Sequence, residues 1–240
     1  MSETAPASFF TPEYFNALRS VDTPTICNAL ELAIGTRTAN GFTRGTPVAA
    51  PEPLPPIVGF ARTARIRAAA PASASPDAIL ATRLAYYRYV SEDDGLPRIV
   101  VMEDADATAG VGAFWGEVNT LVHRGLGVSG VLTNGSVRDL DVIAPDFPVL
   151  AGSVGPSHAF VRVEAFACPV TVFGLEVCHG DLLHADRHGA VIIPGAVARD
   201  LPACIDEVMR KEAPILAAAR SPGFDITALE RALRASADIH

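Results

Sequence analysis

The stretches Arg98-Ile99-Val100-Val101-Met102 and Val128-Ser129-Gly130-Val131-Leu132, with the segment from Trp115 to Arg124 between them, decide the fold class. Each outer stretch is a short apolar run, as expected of a parallel strand buried on both faces. The middle segment reads as a helix stopped by Gly125. Strand, helix and strand in that order predict a right-handed parallel crossover. In parallel units of this kind, ligands collect beyond the carboxyl ends of the strands. Both ends here are polar. One runs Glu103-Asp104-Ala105-Asp106 into the glycine-rich Gly110–Gly116, and the other is Asn134-Gly135-Ser136-Val137-Arg138-Asp139. Because the strands belong to one crossover, the two loops should meet. The helix start near Trp115 would also turn free backbone N–H groups into the shared space, which favours an anion.

Upstream, Thr11-Pro12-Glu13 opens a short helix, and Val21-Asp22-Thr23-Pro24 starts a stronger one carrying Ile26, Ala29, Leu30 and Ala33 inward to a stop at Gly35. Thr36 to Pro56 is rich in Gly, Pro and Thr and reads as a long surface loop or lid. Gly59 to Ala69 alternates as a strand with one wet face, and Ser75-Pro76-Asp77 caps a helix to about Val90. Downstream, short β-runs are predicted at Ala159–Val163, Val170–Phe173 and Ala190–Ile193. A helix from about Ala196 to Ala219 and another from Asp225 close the chain. The reading is a single mixed α/β domain with a parallel βαβ core.

Composition narrows the function. With 240 residues, 49% apolar and 19% charged, the chain is not of a disordered type. No run of 18 apolar residues spans a membrane, no basic n-region and apolar h-region mark a secretory signal, and a cytoplasmic protein is expected. A net charge of −8 argues against nucleic acid as the partner, since phosphate binding is driven by Lys and Arg. Cys27, Cys168, Cys178 and Cys204 form no CxxC pair, so a zinc cage or disulfide framework is not expected. Of the 19 basic residues only Lys211 is lysine, and Met209-Arg210-Lys211-Glu212 reads as an exposed helix face. A desolvated, low-pKa Schiff-base lysine therefore has no good candidate.

Arg138 offers a planar fork for a carboxylate, and the adjacent Asp139 an oxygen ligand for a hard divalent cation. Taken alone, the pair reads more readily as a helix-capping ion pair. Gly110–Gly116 reads equally as a tight strand-to-helix turn, and it fits neither the dinucleotide fingerprint nor a P-loop. His158, His179, His184 and His188 cluster late in the chain but read as turn, capping or surface residues. Asp104 and Asp106, near the edge of the site, read first as solvated loop residues, with support of the site as the alternative. Tyr86, Tyr87 and Tyr89 read as packing or an oligomer contact.

Glu117, twenty residues, then Arg138-Asp139 resembles the acidic-X20-Arg-Asp motif of the RraA-like proteins. The stretch Gly130-Val131-Leu132-Thr133-Asn134-Gly135-Ser136-Val137-Arg138-Asp139 is similar to the family signature, and Gly180–Asp186 through Gly189–Pro194 to its C-terminal β-turn-β. The resemblance runs over about residues 20–200, followed by a helical extension over about 196–240. It implies an α/β/β-type sandwich of the swivelling-domain kind. It also implies a metal-dependent aldolase of the class that cleaves 4-hydroxy-4-methyl-2-oxoglutarate and decarboxylates oxaloacetate. On that resemblance Asp139 would ligate Mg²⁺ or Mn²⁺, and Arg138 would grip the carboxylate of an α-keto acid substrate. Glu117, standing where the family's aldolases usually carry Asp, would hold a catalytic water. The backbone at Gly116, Val118 and Asn119 would complete the carboxylate pocket. The family also implies a homotrimer or homohexamer, and some of its members are non-catalytic regulators that inhibit a ribonuclease. The lysine count points the same way as the first reading, because an aldolase without a usable lysine needs a metal to stabilise the enolate.

Overall fold

The computed structural model describes residues 9–45, 47–50 and 55–239. Two capped helices open it, α1 (Pro12–Arg19) and α2 (Thr23–Ile34). Thr11 accepts from the Tyr14 amide and Asp22 from the Thr25 amide, each beside a proline whose missing N–H costs nothing in a first turn. Gly35, at φ +77°, ends α2 in the left-handed conformation that a helix terminus favours. The chain continues through β1 (Val48–Ala50), β2 (Ile57–Arg67), α3 (Pro76–Ser91), β3 (Arg98–Asp104), β4 (Ala113–Trp115), α4 (Glu117–Gly125), β5 (Val128–Thr133) and β6 (Ser136–Val137). Then follow β7 (Val149–Ala151), β8 (Ser153–Val154), β9 (Arg162–Phe166), β10 (Val170–Val172), β11 (Leu175–Val177), β12 (Leu182–Asp186) and β13 (Gly189–Ile193). The last elements are α5 (Gly195–Ala198), α6 (Leu201–Ala219) and α7 (Ile226–Ala237).

The main sheet has the order β1-β7-β5-β3-β2-β12-β13, with β9 also on β2. Its centre is parallel (β2 with β3, β3 with β5, β5 with β7), and its flanks are antiparallel. The βαβ core expected from the sequence is thus β3–α4–β5. The long β2 serves two neighbours in succession: Ile57 to Phe60 pair with β12, and Ala64 to Arg67 pair with β9. That handover curls the sheet.

Three layers result. On one face, Tyr86, Tyr89 and Val90 of α3 pack with Val100, Met102, Val128 and Val131 of the sheet and with Trp115 and Phe147. On the other, the β10–β11 hairpin buries Val170, Val172, Leu175 and Val177 against Ile99, Val101 and Leu132. Each such fully buried aliphatic side chain contributes about 1.5–3 kcal/mol. A third cluster joins α1, α2, α5 and α6 to the β12–β13 end through Leu18, Ile26, Leu30, Leu182, Ile193 and Leu201. The mixed α/β fold with helices on one side and a second β layer on the other agrees with the expected class.

Several local expectations are corrected. The strand from Gly59 has no wet face. Arg62 is 5% exposed because the segment after α3 covers it: its guanidinium donates to the Glu92 carbonyl and pairs with Asp94 at 3.0 Å. Within Thr36–Pro56 the chain forms the edge strand β1, and Phe42 bridges to Val191. Residues 46 and 51–54 of that stretch lie outside the described residues. The helix placed from Trp115 begins two residues later, since Ala113-Phe114-Trp115 are taken by β4. The run at Ala159–Val163 starts instead at Arg162. The helix from Ala196 is split at Arg199–Asp200, where Pro202 needs a fresh first turn.

Two buried polar groups staple these layers. Arg98, 5% exposed, donates to the carbonyls of Ser91 and Glu92 at the end of α3 and to those of Leu126 and Gly127 after α4, serving the open ends of both helices. His184 is fully buried, not in a turn. Its Nδ1 accepts from the Thr23 hydroxyl at 3.0 Å and its Nε2 donates to Leu18 O at 3.1 Å, while Asp186 accepts the Thr23 amide at 2.9 Å. Among the described residues no helix is long and apolar enough to cross a membrane.

Candidate functional site

After β5 the chain leaves the main sheet at Asn134-Gly135 and enters a small parallel sheet of order β4-β6-β8. Asn134 makes the step by acting as a backbone mimic. Its Oδ1 accepts the Asp104 amide at 2.8 Å and its Nδ2 donates to the Asp104 carbonyl at 3.1 Å. Strand β4 runs out into Gly116 and β6 into Arg138, and the Arg138 amide donates to Trp115 O at 3.0 Å. The two polar strand ends read from the sequence therefore do come together, at the first turn of α4.

Gly116 precedes α4 and supplies no side-chain cap. The cap arrives from outside: Asp139 Oδ2 accepts the Glu117 amide at 3.3 Å and pairs with Arg138 Nε at 3.3 Å. The helix-capping ion pair weighed from the sequence is therefore present, and it falls on one carboxylate oxygen. A Cβ on Gly116 would stand 2.5 Å from Asp139 Oδ2, 3.0 Å from Arg138 Cγ and 3.3 Å from Arg138 Nε, so only glycine permits this approach. Asp139 itself holds φ +58°, a left-handed conformation that costs about 1 kcal/mol or more for a non-glycine residue and is most tolerable for Asp and Asn.

One third of each side chain, 33% for Arg138 and 34% for Asp139, remains exposed. Among the described residues, Arg138 Nη1 and Nη2 have no protein partner, so the fork is engaged only through Nε. The Val118 and Asn119 amides belong to the first turn, which has no intrahelical acceptors. Glu117 is exposed beside them, and Val118 is 60% exposed. A free guanidinium fork, a carboxylate and a helix N-terminus thus share one half-open place. The arrangement can hold a carboxylate ligand and, through oxygen, a hard cation. Among the described residues no three His, Cys, Asp or Glu side chains converge as a metal cage. Asp139 is thus one protein oxygen donor, and a Mg²⁺-like ion completing its octahedron with water and ligand oxygens suits such a donor set.

The first turn is anchored from behind. The Asn119 side chain is turned to other partners, accepting from the Tyr87 hydroxyl at 2.7 Å and donating to Phe114 O at 2.5 Å. One turn on, His123 is buried and packs against Trp115, the rings tilted by 52° with centroids 4.5 Å apart. Its Nδ1 donates to Asn119 O at 2.6 Å, which leaves Nε2 to accept from the Tyr86 hydroxyl at 2.7 Å. This neutral tautomer is enforced by burial, which pushes the imidazole down to about 4. A smaller contribution from Arg83 acts the same way, and the Asn119 hydrogen bond opposes it. Burial likewise raises the Tyr86 hydroxyl well above its ordinary value.

Sequence reasoning misjudged two carboxylates nearby. Asp104 is 2% exposed and accepts the Gly110 amide at 2.7 Å, folding the glycine-rich loop back. Asp106 accepts the amides of Ala68 and Ala69 at 2.6 and 2.7 Å and faces Arg67 at 3.5 Å. Both satisfy backbone donors where solvated loop residues were expected. Thr120, which ties the site's two segments together, carried no sequence signal at all, being one threonine inside a helix.

The family model for RraA-like proteins, described as Aldolase/RraA, matches residues 23–192. No curated protein matches the chain. Among solved structures, an uncharacterized protein from Pseudomonas syringae pv. tomato superposes with a TM-score of 0.69 at 22% identity, covering 98% of both chains. A structure described as one of the novel cellulases from microbes associated with the gut ecosystem gives 0.71 at 18% identity, over 89% of this chain and 90% of that one. Streptomyces coelicolor RraAS2, an unusual member of the RNase ES inhibitor RraA protein family, gives 0.61 at 21% identity, over 88% and 98%. At these identities the likeness is one of fold.

Proposed function

Since the chain belongs to the RraA-like family, we propose that it is a divalent-metal-dependent lyase that cleaves a 4-hydroxy-2-oxo acid by retro-aldol reaction to release pyruvate, with oxaloacetate decarboxylation as a side activity. The observation that carries this reading is the Arg138 fork, open at both terminal nitrogens, beside Asp139 at the N-terminal turn of α4. Asp139 would hold Mg²⁺ or Mn²⁺, and the cation supplies the Lewis acidity that an enolate-forming lyase without a usable lysine requires. The one lysine, Lys211, pairs with Glu207 at 2.6 Å on α6, which disqualifies it as a Schiff-base amine.

The residues of the chain divide the remaining work. Arg138 binds the substrate carboxylate through its two open nitrogens and so fixes the oxo acid in one orientation. The Val118 and Asn119 amides donate to the same carboxylate, aided by the positive end of α4. Glu117 takes the proton of the distal hydroxyl through one water, the carbon–carbon bond breaks as that oxygen becomes a carbonyl, and Glu117 returns the proton through water to the pyruvate carbon left behind. With oxaloacetate the same bond-breaking electrons are released by loss of carbon dioxide, and no base is needed. Val118 and Leu121 on α4, and Leu140 and Val142 just after Asp139, are exposed; burying them between copies fits the proposed homotrimer or homohexamer.

The test is pyruvate release from 4-hydroxy-4-methyl-2-oxoglutarate and from oxaloacetate, read by coupling to lactate dehydrogenase in the presence of Mg²⁺ or Mn²⁺. Turnover of either acid supports the lyase. Silence with both, from a folded protein, sinks the reading and leaves the alternative of a non-catalytic regulator that binds a ribonuclease.

A further inference from the structure

Thr120 lies one turn into α4 and is fully buried. Its hydroxyl works in two directions. It donates to Gly116 O at 2.9 Å, with Glu117 O at 3.0 Å as the alternative acceptor, and it accepts the Ala144 amide at 3.1 Å. The first contact is the ordinary back-bond of a helical threonine. The second is not, because Ala144 is 24 residues away in sequence and closes the turn that Asp139 opens. The Val142 and Ile143 amides both donate to Asp139 O, at 3.0 and 3.1 Å, so residues 139–143 form one hydrogen-bonded turn that Ala144 directly follows.

We infer that Thr120 is a positioning residue, whose hydroxyl fixes the Asp139 turn against the first turn of α4 and so sets where the Asp139 carboxylate stands. The left-handed backbone of Asp139 needs surroundings that over-determine it. The Glu117 amide holds that residue at the carboxylate, and Thr120 holds it at the far end of the turn. The inference rests on the proposed lyase reading for its role in turnover, but its metal readout does not require turnover.

Valine at this position keeps the shape and removes the hydroxyl, while serine keeps the hydroxyl. The experiment measures Mn²⁺ binding, from the free-ion electron paramagnetic resonance signal, for the wild type, Thr120→Val and Thr120→Ser. Melting temperature and the kcat and KM of pyruvate release are recorded for the same samples. Loss of a direct partner of a metal ligand costs about 10–100-fold in metal affinity or activity, and Thr120 acts on Asp139 one step removed, through the Ala144 amide. Thr120→Val is expected to fall at the lower end of that range in Mn²⁺ affinity, and Thr120→Ser to return near the wild type. A Thr120→Val protein that melts lower but binds Mn²⁺ as tightly as the wild type overturns the inference, since a merely structural threonine behaves that way. Wild-type Mn²⁺ binding without turnover sinks the lyase reading while the Thr120 comparison still stands. A wild type that binds no Mn²⁺ overturns both.

Discussion

Replacing Gly116 by alanine adds one methyl group at the point where the two loops of the site touch. The backbone there is extended, φ −178° and ψ −167°, which alanine adopts freely, so any effect comes from the methyl alone. That carbon would lie 2.5 Å from Asp139 Oδ2 and 3.0 Å from Arg138 Cγ. A relaxed contact needs about 3.5 Å, so the carboxylate must retreat by about 1 Å. A misplacement of about 1 Å at a reacting group costs about 100-fold in rate, equivalent to about 2.7 kcal/mol of transition-state stabilisation. The fold loses only the external cap on the Glu117 amide, about 1 kcal/mol, which lowers the melting temperature by about 2–4 °C in a chain of this size. The assay is kcat/KM for pyruvate release by the coupled reaction, alongside thermal denaturation followed by circular dichroism. Gly116→Ala at wild-type kcat/KM, with the small melting shift present, would place Asp139 away from the reacting centre, since the methyl would have moved it without consequence.

Other perturbations separate the roles. Asp139→Asn keeps a residue tolerant of the left-handed backbone and an oxygen for the Glu117 amide but removes the charge. It should lose turnover by more than about 100-fold with its circular dichroism spectrum unchanged, and unfolding would favour a structural ion pair instead. Arg138→Lys should raise KM for the oxo acid more than it lowers kcat, because a point charge cannot replace two parallel donors; an unchanged KM contradicts carboxylate capture by the fork. For His123, burial lowers the folded value from 6.5 to about 4, so the unfolded chain takes up the proton first as pH falls. Its stabilising share is complete above pH 6.5 and is lost on descending through that window, by about 3 kcal/mol near the lower end. Denaturant titrations of the wild type and His123→Phe across pH 7 to 4 check this. The variant should be weaker at pH 7 but should lose less on acidification, keeping the share of His184, which burial also lowers. Identical slopes would exclude His123 as the cause.

Much of the frame was legible because it depends on local chemistry. Pro12, Pro24, Ser75 and Gly35 mark helix ends by constraints that no tertiary contact alters, and the apolar runs at β3 and β5 suit only strands covered on both faces. Because β3 and β5 belong to one crossover, the two polar loops had to meet, and they do. What escaped was set by tertiary context. Arg62 alternates as an outward residue would, yet it is buried because the segment after α3, with the Glu92 carbonyl and Asp94, covers it. Phe114 and Trp115 have the apolar character of a helix face until β6 is present to pair with β4. The histidine at 184 sits four residues from His188 near a turn, and only the docking of the α1–α2 corner, with Thr23 and Leu18 as partners, makes it a core residue. The positioning threonine was illegible for the same reason, since its second partner is supplied by a distant loop.

The most direct test of the central claim is the metal dependence of pyruvate release by the wild-type protein. The rate is followed with oxaloacetate or 4-hydroxy-4-methyl-2-oxoglutarate and Mg²⁺, then after excess EDTA, then after Mn²⁺ is added back beyond the chelator. A metal-dependent lyase shows turnover that EDTA abolishes and Mn²⁺ restores. Turnover that persists unchanged in EDTA would contradict it.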